Sequence, residues 1–239
     1  MGQRADGLYR AYDGASIDWS VMLGTGLADV PKHYVSVYRE CSLDEIVRIV
    51  REGLSVPPAE TRHPDMRAEM ELLDRHRPKR LIDKGVSRLG AVYAVPTTET
   101  PRFPFRNERY VLELKVDPEE SFVGDMDFIS CLIPFIGANQ TGLDRYRGAF
   151  QKYWEGVVSL KDFNAHYRRI DTPEGTHWMA KSTAPAKLPK TFFTPEVMIM
   201  TPIISPRHVR VVRREVTENE RCDHDDHPVE QGMTWEDER

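Results

Sequence analysis

Cysteine is scarce in this chain: Cys41, Cys131 and Cys222 are the three in 239 residues, odd in number and far apart. That excludes a disulfide framework and fits reduced thiols. Long apolar runs are missing too. The longest, Ile129–Ile136, is interrupted by Pro134 and falls short of the roughly 20 residues a membrane-spanning helix needs. Met1–Asp18 carries charges and glycines where a signal peptide has its apolar region, so the expected setting is the cytoplasm, with no membrane partner. Gly-x-Gly-x-x-Gly, the P-loop, His-Glu-x-x-His and Gly-x-Ser-x-Gly are all absent. These absences remove the markers of Rossmann, P-loop, zincin and α/β-hydrolase sites.

An excess of positive charge is lacking as well. The formal net charge of −5 argues against a protein coated by nucleic acid through bulk electrostatics, while leaving a local basic groove open. With 40% hydrophobic and 30% charged residues, the chain has the composition of a folded protein with one good-sized core or two small ones. The run Cys222-Asp223-His224-Asp225-Asp226-His227 holds ligand-type side chains but matches no closed zinc spacing, so no metal is expected there. The expected organisation is an N-terminal extension over 1–32 packed on the core, one domain over 33–216 and an acidic, disordered tail over 217–239.

Regular patterning begins at Tyr34. Val35 and Val37 alternate with Tyr34, Ser36 and Tyr38, which predicts a strand ending at Arg39. Ser42-Leu43-Asp44-Glu45 is a capping box, followed by apolar positions at helical spacing and by Gly53 as a stop. Pro64–Arg77 predicts a second helix with Met70 and Leu73 inward, Ala91–Val95 a central strand, and Tyr110–Val116 a strand with one wetter face. Leu143–Leu160 carries apolar residues at helical spacing throughout. Between Thr172 and Thr194 the sequence predicts a long loop dense in Pro, Thr, Lys and Gly. It leads into Glu196 and the apolar run Val197–Met200, and Val209–Arg213 then predicts a basic edge strand.

Three elements stand in order: Arg39 at the end of the first strand, Ser87-Arg88-Leu89-Gly90-Ala91-Val92-Tyr93 leading through the middle strand, and the lone carboxylate Glu196 opening a late strand after the long loop. In this order and context, Tyr34–Arg214 resembles the ADP-ribosyltransferase superfamily. The resemblance implies an α+β fold of two small, packed, mostly antiparallel sheets flanked by helices. It also implies NAD as co-substrate without a metal, and transfer of ADP-ribose to a macromolecular acceptor, protein or nucleic acid. Carried over by position, Glu196 would be the catalytic carboxylate. Arg39 with Tyr38, Ser87 and Arg88 would hold NAD, and Tyr93 would wall the nicotinamide. Ala180–Thr194 would be the substrate loop, with Lys187, Lys190, Phe192, Phe193 and Thr194 toward the acceptor. Two features depart from the pattern. No Ser-Thr-Ser triplet stands on the middle strand, where Ser87 or Thr97-Thr98 would have to substitute. Thr194, not Gln or Glu, stands two residues before Glu196, which leaves the acceptor residue open.

The chemistry fits these residue types. Cleaving the nicotinamide–ribose bond builds positive charge on the ribose, which a preorganised carboxylate stabilises. A guanidinium grips a pyrophosphate through a planar fork that lysine lacks. The same fold also admits an NAD glycohydrolase or an RNA 2′-phosphotransferase relative, and an enzyme of this kind is compatible with a neutralising partner protein. Outside enzymology, Arg39 and Glu196 would be surface charges and Tyr93 a core aromatic. The basic stretches Arg145-Tyr146-Arg147, Tyr167-Arg168-Arg169 and Arg207–Arg214 would then make the chain a protein- or nucleic-acid-binding module.

Overall fold

The computed structural model describes residues 27, 29–61, 64–97, 108–130, 147–172 and 175–216. The alternating segment forms β1, Val35–Cys41, with Val37 and Cys41 fully buried. Helix α1, Leu43–Glu52, begins with the capping box in place: the Glu45 amide donates to Ser42 Oγ at 3.4 Å and the Ser42 amide to Glu45 Oε2 at 2.9 Å. Ile46 and Ile49 bury its inner face. Gly53 ends it at φ 87°, a conformation that favours glycine, and a Cβ there would run into the Ile204 carbonyl.

Next come β2 (Leu54–Ser55), α2 (Pro64–Arg75), the single turn α3 (Lys79–Ile82) and β3 (Val92–Ala94). They are followed by β4 (Glu108–Val116), β5 (Ser121–Asp125) and α4 (Met126–Ser130). The pattern over Leu143–Leu160 divides. Helix α5 spans Arg147–Glu155, and the Gly156 amide closes it by donating to the carbonyls of Lys152 and Tyr153. The chain then forms β6 (Val158–Ser159) and restarts as α6 (Leu160–His166), where the Asp162 amide caps on Ser159 Oγ at 3.0 Å. Apolar spacing runs through this break because both helices bury the face concerned, so periodicity alone does not mark the gap.

The expected long loop is shorter than its composition implied. β7 (Tyr167–Thr172) and β8 (Gly175–Ala180) make a hairpin, leaving a connection over 181–190 before β9 (Thr191–Phe192). Only one face of β8 is apolar enough to signal a strand, with Trp178 and Ala180 packed on the core. The chain closes with β10 (Pro195–Ile199), β11 (Ile203–Ile204) and β12 (Val209–Val216), the last an edge strand on β4 as expected.

Two antiparallel sheets dominate, ordered β1-β4-β12 and β3-β10-β5-β6, beside the small pairings β11-β2 and β7-β8-β9. Tyr38 and Val95 exchange both backbone hydrogen bonds, at 2.8 and 2.7 Å, and so join β1 to the end of β3. One hydrophobic cluster takes Val37, Leu112 and Leu114 from the first sheet with Val92, Val123, Val197 and Ile199 from the second. The opposite face of the second sheet, with Phe122 and Met198, packs on Leu73, Phe150 and Trp154 of α2 and α5. Burying each large aromatic contributes about 1.5–3 kcal/mol. The Trp154 indole gives its N–H to the Leu73 carbonyl at 2.7 Å, so its burial strands no donor.

The architecture is thus mixed α+β with several small antiparallel sheets. No helix among the described residues is long and apolar enough to cross a membrane. Replacing the α1 cap, Ser42→Ala, is expected to cost about 1 kcal/mol, read as a lowered urea midpoint with an unchanged m-value.

Candidate active site

Glu196 stands in β10, between β3 and β5, directly across from Gly124. Strand alternation sends Val197 and Ile199 into the first cluster and leaves Glu196 on the face of Met198, toward α5. On that face Tyr93 of β3 pairs with Met198. Arg88 arrives from the loop before β3, and Asp74 near the end of α2 sets its course. The Asp74 carboxylate accepts from the Ser87 hydroxyl, the Arg88 amide at 2.9 Å and the Leu89 amide at 3.3 Å. Arg77 ties the same turn by donating to the carbonyls of Asp74 and Val86.

The Arg88 side chain, only 4% exposed, therefore enters the second cluster. Its Nη1 lies 2.7 Å from Glu196 Oε2 and donates to Tyr153 Oη at 2.7 Å. The guanidinium carbon sits 4.9 Å from the Tyr93 ring centre and 5.6 Å from that of Tyr153, in cation–π range. The Tyr93 hydroxyl donates back to the Arg88 carbonyl. Glycine at 124 makes room for this packing, since a Cβ there would stand 2.5 Å from Tyr153 Oη.

Burial opposes the Arg88 charge, but the surrounding oxygens of Tyr153, Glu196 and Tyr93 outweigh it and hold the guanidinium well above its ordinary value. Burial pushes the Tyr153 phenol up to about 12; Arg88 pulls the other way, and Glu196 adds to the rise. The Arg88–Glu196 contact is an ion pair. Among the described residues, three buried side-chain atoms lack a hydrogen-bond partner: Arg39 Nε, Arg88 Nε and Glu196 Oε2.

The structure thus brings Arg88, Tyr93 and Glu196 together. Arg39 is close by but faces away. It shares a face of β1 with Val37 and Cys41 and pairs across from Leu112, on the face of the first cluster. Its Nη1 donates to the Tyr93 carbonyl at 3.0 Å and its Nη2 lies 3.7 Å from Glu45, while Glu196 forms its ion pair with Arg88. Tyr38, the neighbour of Arg39, stands on the Glu196 side through its bridge to Val95. Ser87 spends its hydroxyl on Asp74 and the Gly90 amide.

In the loop, Lys187 and Lys190 are exposed, whereas Phe192 is buried edge-on against Phe163 and Tyr167. Phe193 is 58% exposed, although its backbone is pinned. The amides of Phe193 and Thr194 donate to the two oxygens of Asp125 at 3.0 and 3.1 Å, and the Thr194 hydroxyl donates to Asp127 at 2.7 Å. Sequence reasoning missed Tyr153, Gly124, Asp74 and Asp125. A glycine inside a short apolar strand, Phe122-Val123-Gly124, was the one signal of a close approach; Tyr153 has the pattern of any core aromatic. The Cys222–His227 run lies outside the described residues, and among the described ones no cluster of His, Cys, Asp and Glu has a metal-holding arrangement.

Arg88→Met is expected to destabilise the fold by about 3–5 kcal/mol, because the Glu196 carboxylate is left part-buried without its cation. Arg88→Met with Glu196→Met should regain much of that loss, both read by urea denaturation. Tyr153 also predicts an alkaline dependence. Its folded value is raised, so its stabilisation is complete below about pH 10 and is lost as pH rises toward 12. Tyr153→Phe should remove that part of the slope in denaturation midpoints across this range; the Tyr167 part, also at about 12, remains. Comparison with protein-family models, with curated proteins and with solved structures finds no match, so function is read from this geometry and from the motifs.

Proposed function

We propose that this chain cleaves NAD at the nicotinamide–ribose bond and transfers ADP-ribose to a macromolecular acceptor, with Glu196 as the catalytic carboxylate. Incomplete hydrogen bonding carries this reading: Arg39 Nε, Arg88 Nε and Glu196 Oε2 (the last ion-paired with Arg88 Nη1) have no hydrogen-bond partner, and all belong to residues singled out by motif order. The strand arrangement supports it. β3 pairs with β10, and β1 joins the end of β3 through the Tyr38–Val95 bridge, so the middle-strand aromatic stands beside the late-strand carboxylate while the strand-end arginine lies nearby on the opposite face. The connection over 181–190 leads through the Asp125 clamp directly to Glu196.

In this reading the C–N bond breaks with its electron pair leaving on nicotinamide, and Glu196 stabilises the positive charge on the ribose until an acceptor nucleophile attacks. Arg88 orients the carboxylate, Tyr153 orients Arg88, and Tyr93 offers a flat wall. A second reading, a non-catalytic binding module, draws on one observation: Arg39 and Glu196 lie on opposite faces of the sheet.

Incubating the full-length protein with NAD and cell extract separates the two. Nicotinamide release is expected, falling by about 10²-fold or more in Glu196→Gln, with thermal midpoints showing that the variant is folded. Release without labelled acceptor would mean a glycohydrolase. No release from the wild type overturns the enzyme reading, and undiminished release from a folded Glu196→Gln removes Glu196 as its catalytic residue. Arg39→Ala assigns the remaining cation: a KM for NAD raised about tenfold or more, one charge-assisted contact, places it on the dinucleotide, and an unchanged KM places it in the fold.

A further inference from the structure

A cavity of about 350 Å³ opens beside the C-terminal end of α5, where α3, β5, β6 and the connection over 181–190 meet. That volume lies within the range of small-molecule sites. None of Arg88, Tyr93, Tyr153, Gly124 or Glu196 lines it, so it is a separate site. It shares a face of the sheet with Glu196, however, because Phe122 in its wall precedes Gly124 by one turn of strand alternation and pairs with Met198.

The walls mix apolar side chains, among them Leu81, Phe122, Val157 and Leu188, with charged ones, and the cations are of two kinds. Arg80 is committed to the backbone: its guanidinium donates to the carbonyls of Trp154, Glu155 and Val157 and closes the end of α5. Lys84 and Lys187 are uncommitted. Lys84 Nζ stands 5.7 Å from the Phe122 ring centre, and among the described residues neither ammonium has a hydrogen bond or ion pair. The carboxylates of Glu155 and Asp162 also line the cavity, and Asp162 is engaged by the Ser159 hydroxyl at 2.9 Å. Two free ammoniums beside an aromatic wall suit a flat apolar body bearing one acidic group. Its ring would lie along Leu188 and Pro189 and its anion beside Lys84 and Lys187.

We infer that this cavity is a second ligand site, for a small aromatic monoanion, independent of the chemistry assigned to Glu196. One wall, Lys187–Pro189, belongs to the connection that leads to Glu196 and is held in place by the Tyr167 hydroxyl on the Pro189 carbonyl at 2.6 Å. The cavity is therefore preformed on that side.

The test titrates the full-length protein with two fluorescent probes of nearly the same shape, anionic 8-anilinonaphthalene-1-sulfonate and uncharged N-phenyl-1-naphthylamine. Saturable binding is expected, about tenfold tighter for the anion, the scale of one charge-assisted contact. Lys84→Glu with Lys187→Glu should abolish that preference at an unchanged thermal midpoint, since both side chains are exposed. Phe193→Ser with Met179→Ser should leave it intact, which sets aside the exposed apolar residues of β8 and its neighbour. Absence of saturable binding, equal affinity for the two probes, or a preference that survives the lysine changes overturns the proposal.

Discussion

A charged guanidinium inside a hydrophobic cluster organises this molecule. Arg88 cannot shed its proton at any ordinary pH, so every neighbour must compensate for its burial. Tyr153 supplies an acceptor, Glu196 a counter-charge, and two aromatic rings supply their faces. Each compensation imposes a further condition. Tyr153 reaches its place only because residue 124 has no side chain, and Arg88 turns inward only because Asp74 collects the amides of the preceding turn. Elements distant in sequence, from α2 to β10, are thereby coupled through one cation.

Incomplete compensation matters as much. Arg88 Nε and Glu196 Oε2 are, with Arg39 Nε, the buried side-chain atoms without hydrogen-bond partners among the described residues. Such atoms cost free energy. The outer face of the first sheet shows the contrast. There Glu113, more deeply buried than Glu196, accepts from Ser36, Lys115 and Arg210, and these bonds hold its carboxyl below the usual range although burial works the other way. Glu113 thus has partners for both carboxylate oxygens, whereas Glu196 keeps one oxygen without a hydrogen bond.

Local elements were legible where short-range physics decides them. The capping box at Ser42, the stop at Gly53 and the alternation of Val35–Cys41 and of Glu108–Val116 depend on residues within a few positions of one another. Legibility failed where burial of two faces, or of one weakly apolar face, replaced a clean period. The break at Gly156 and the strand around Trp178 are of this kind, and β5, with glycine in its middle, gave little strand signal. Within the site, Glu196, Arg88 and Tyr93 were identifiable as chemical types in a suggestive order. Their assembly depends on Asp74, Gly124 and Tyr153, whose roles arise from contacts spanning as many as 65 positions.

The sequence by itself determined which side chains could do chemistry and which cleanly periodic segments would be strands or helices, because residue type and periodicity are local properties. Only the tertiary structure decided which cation Glu196 meets. Arg39 and Arg88 are equally arginines in sequence, but strand alternation across the Tyr38–Val95 junction turns Arg39 to one face of the sheet, while the Asp74 turn delivers Arg88 to the other. Side-chain direction across paired strands is a property of register, and register is set by packing between segments that no local pattern relates.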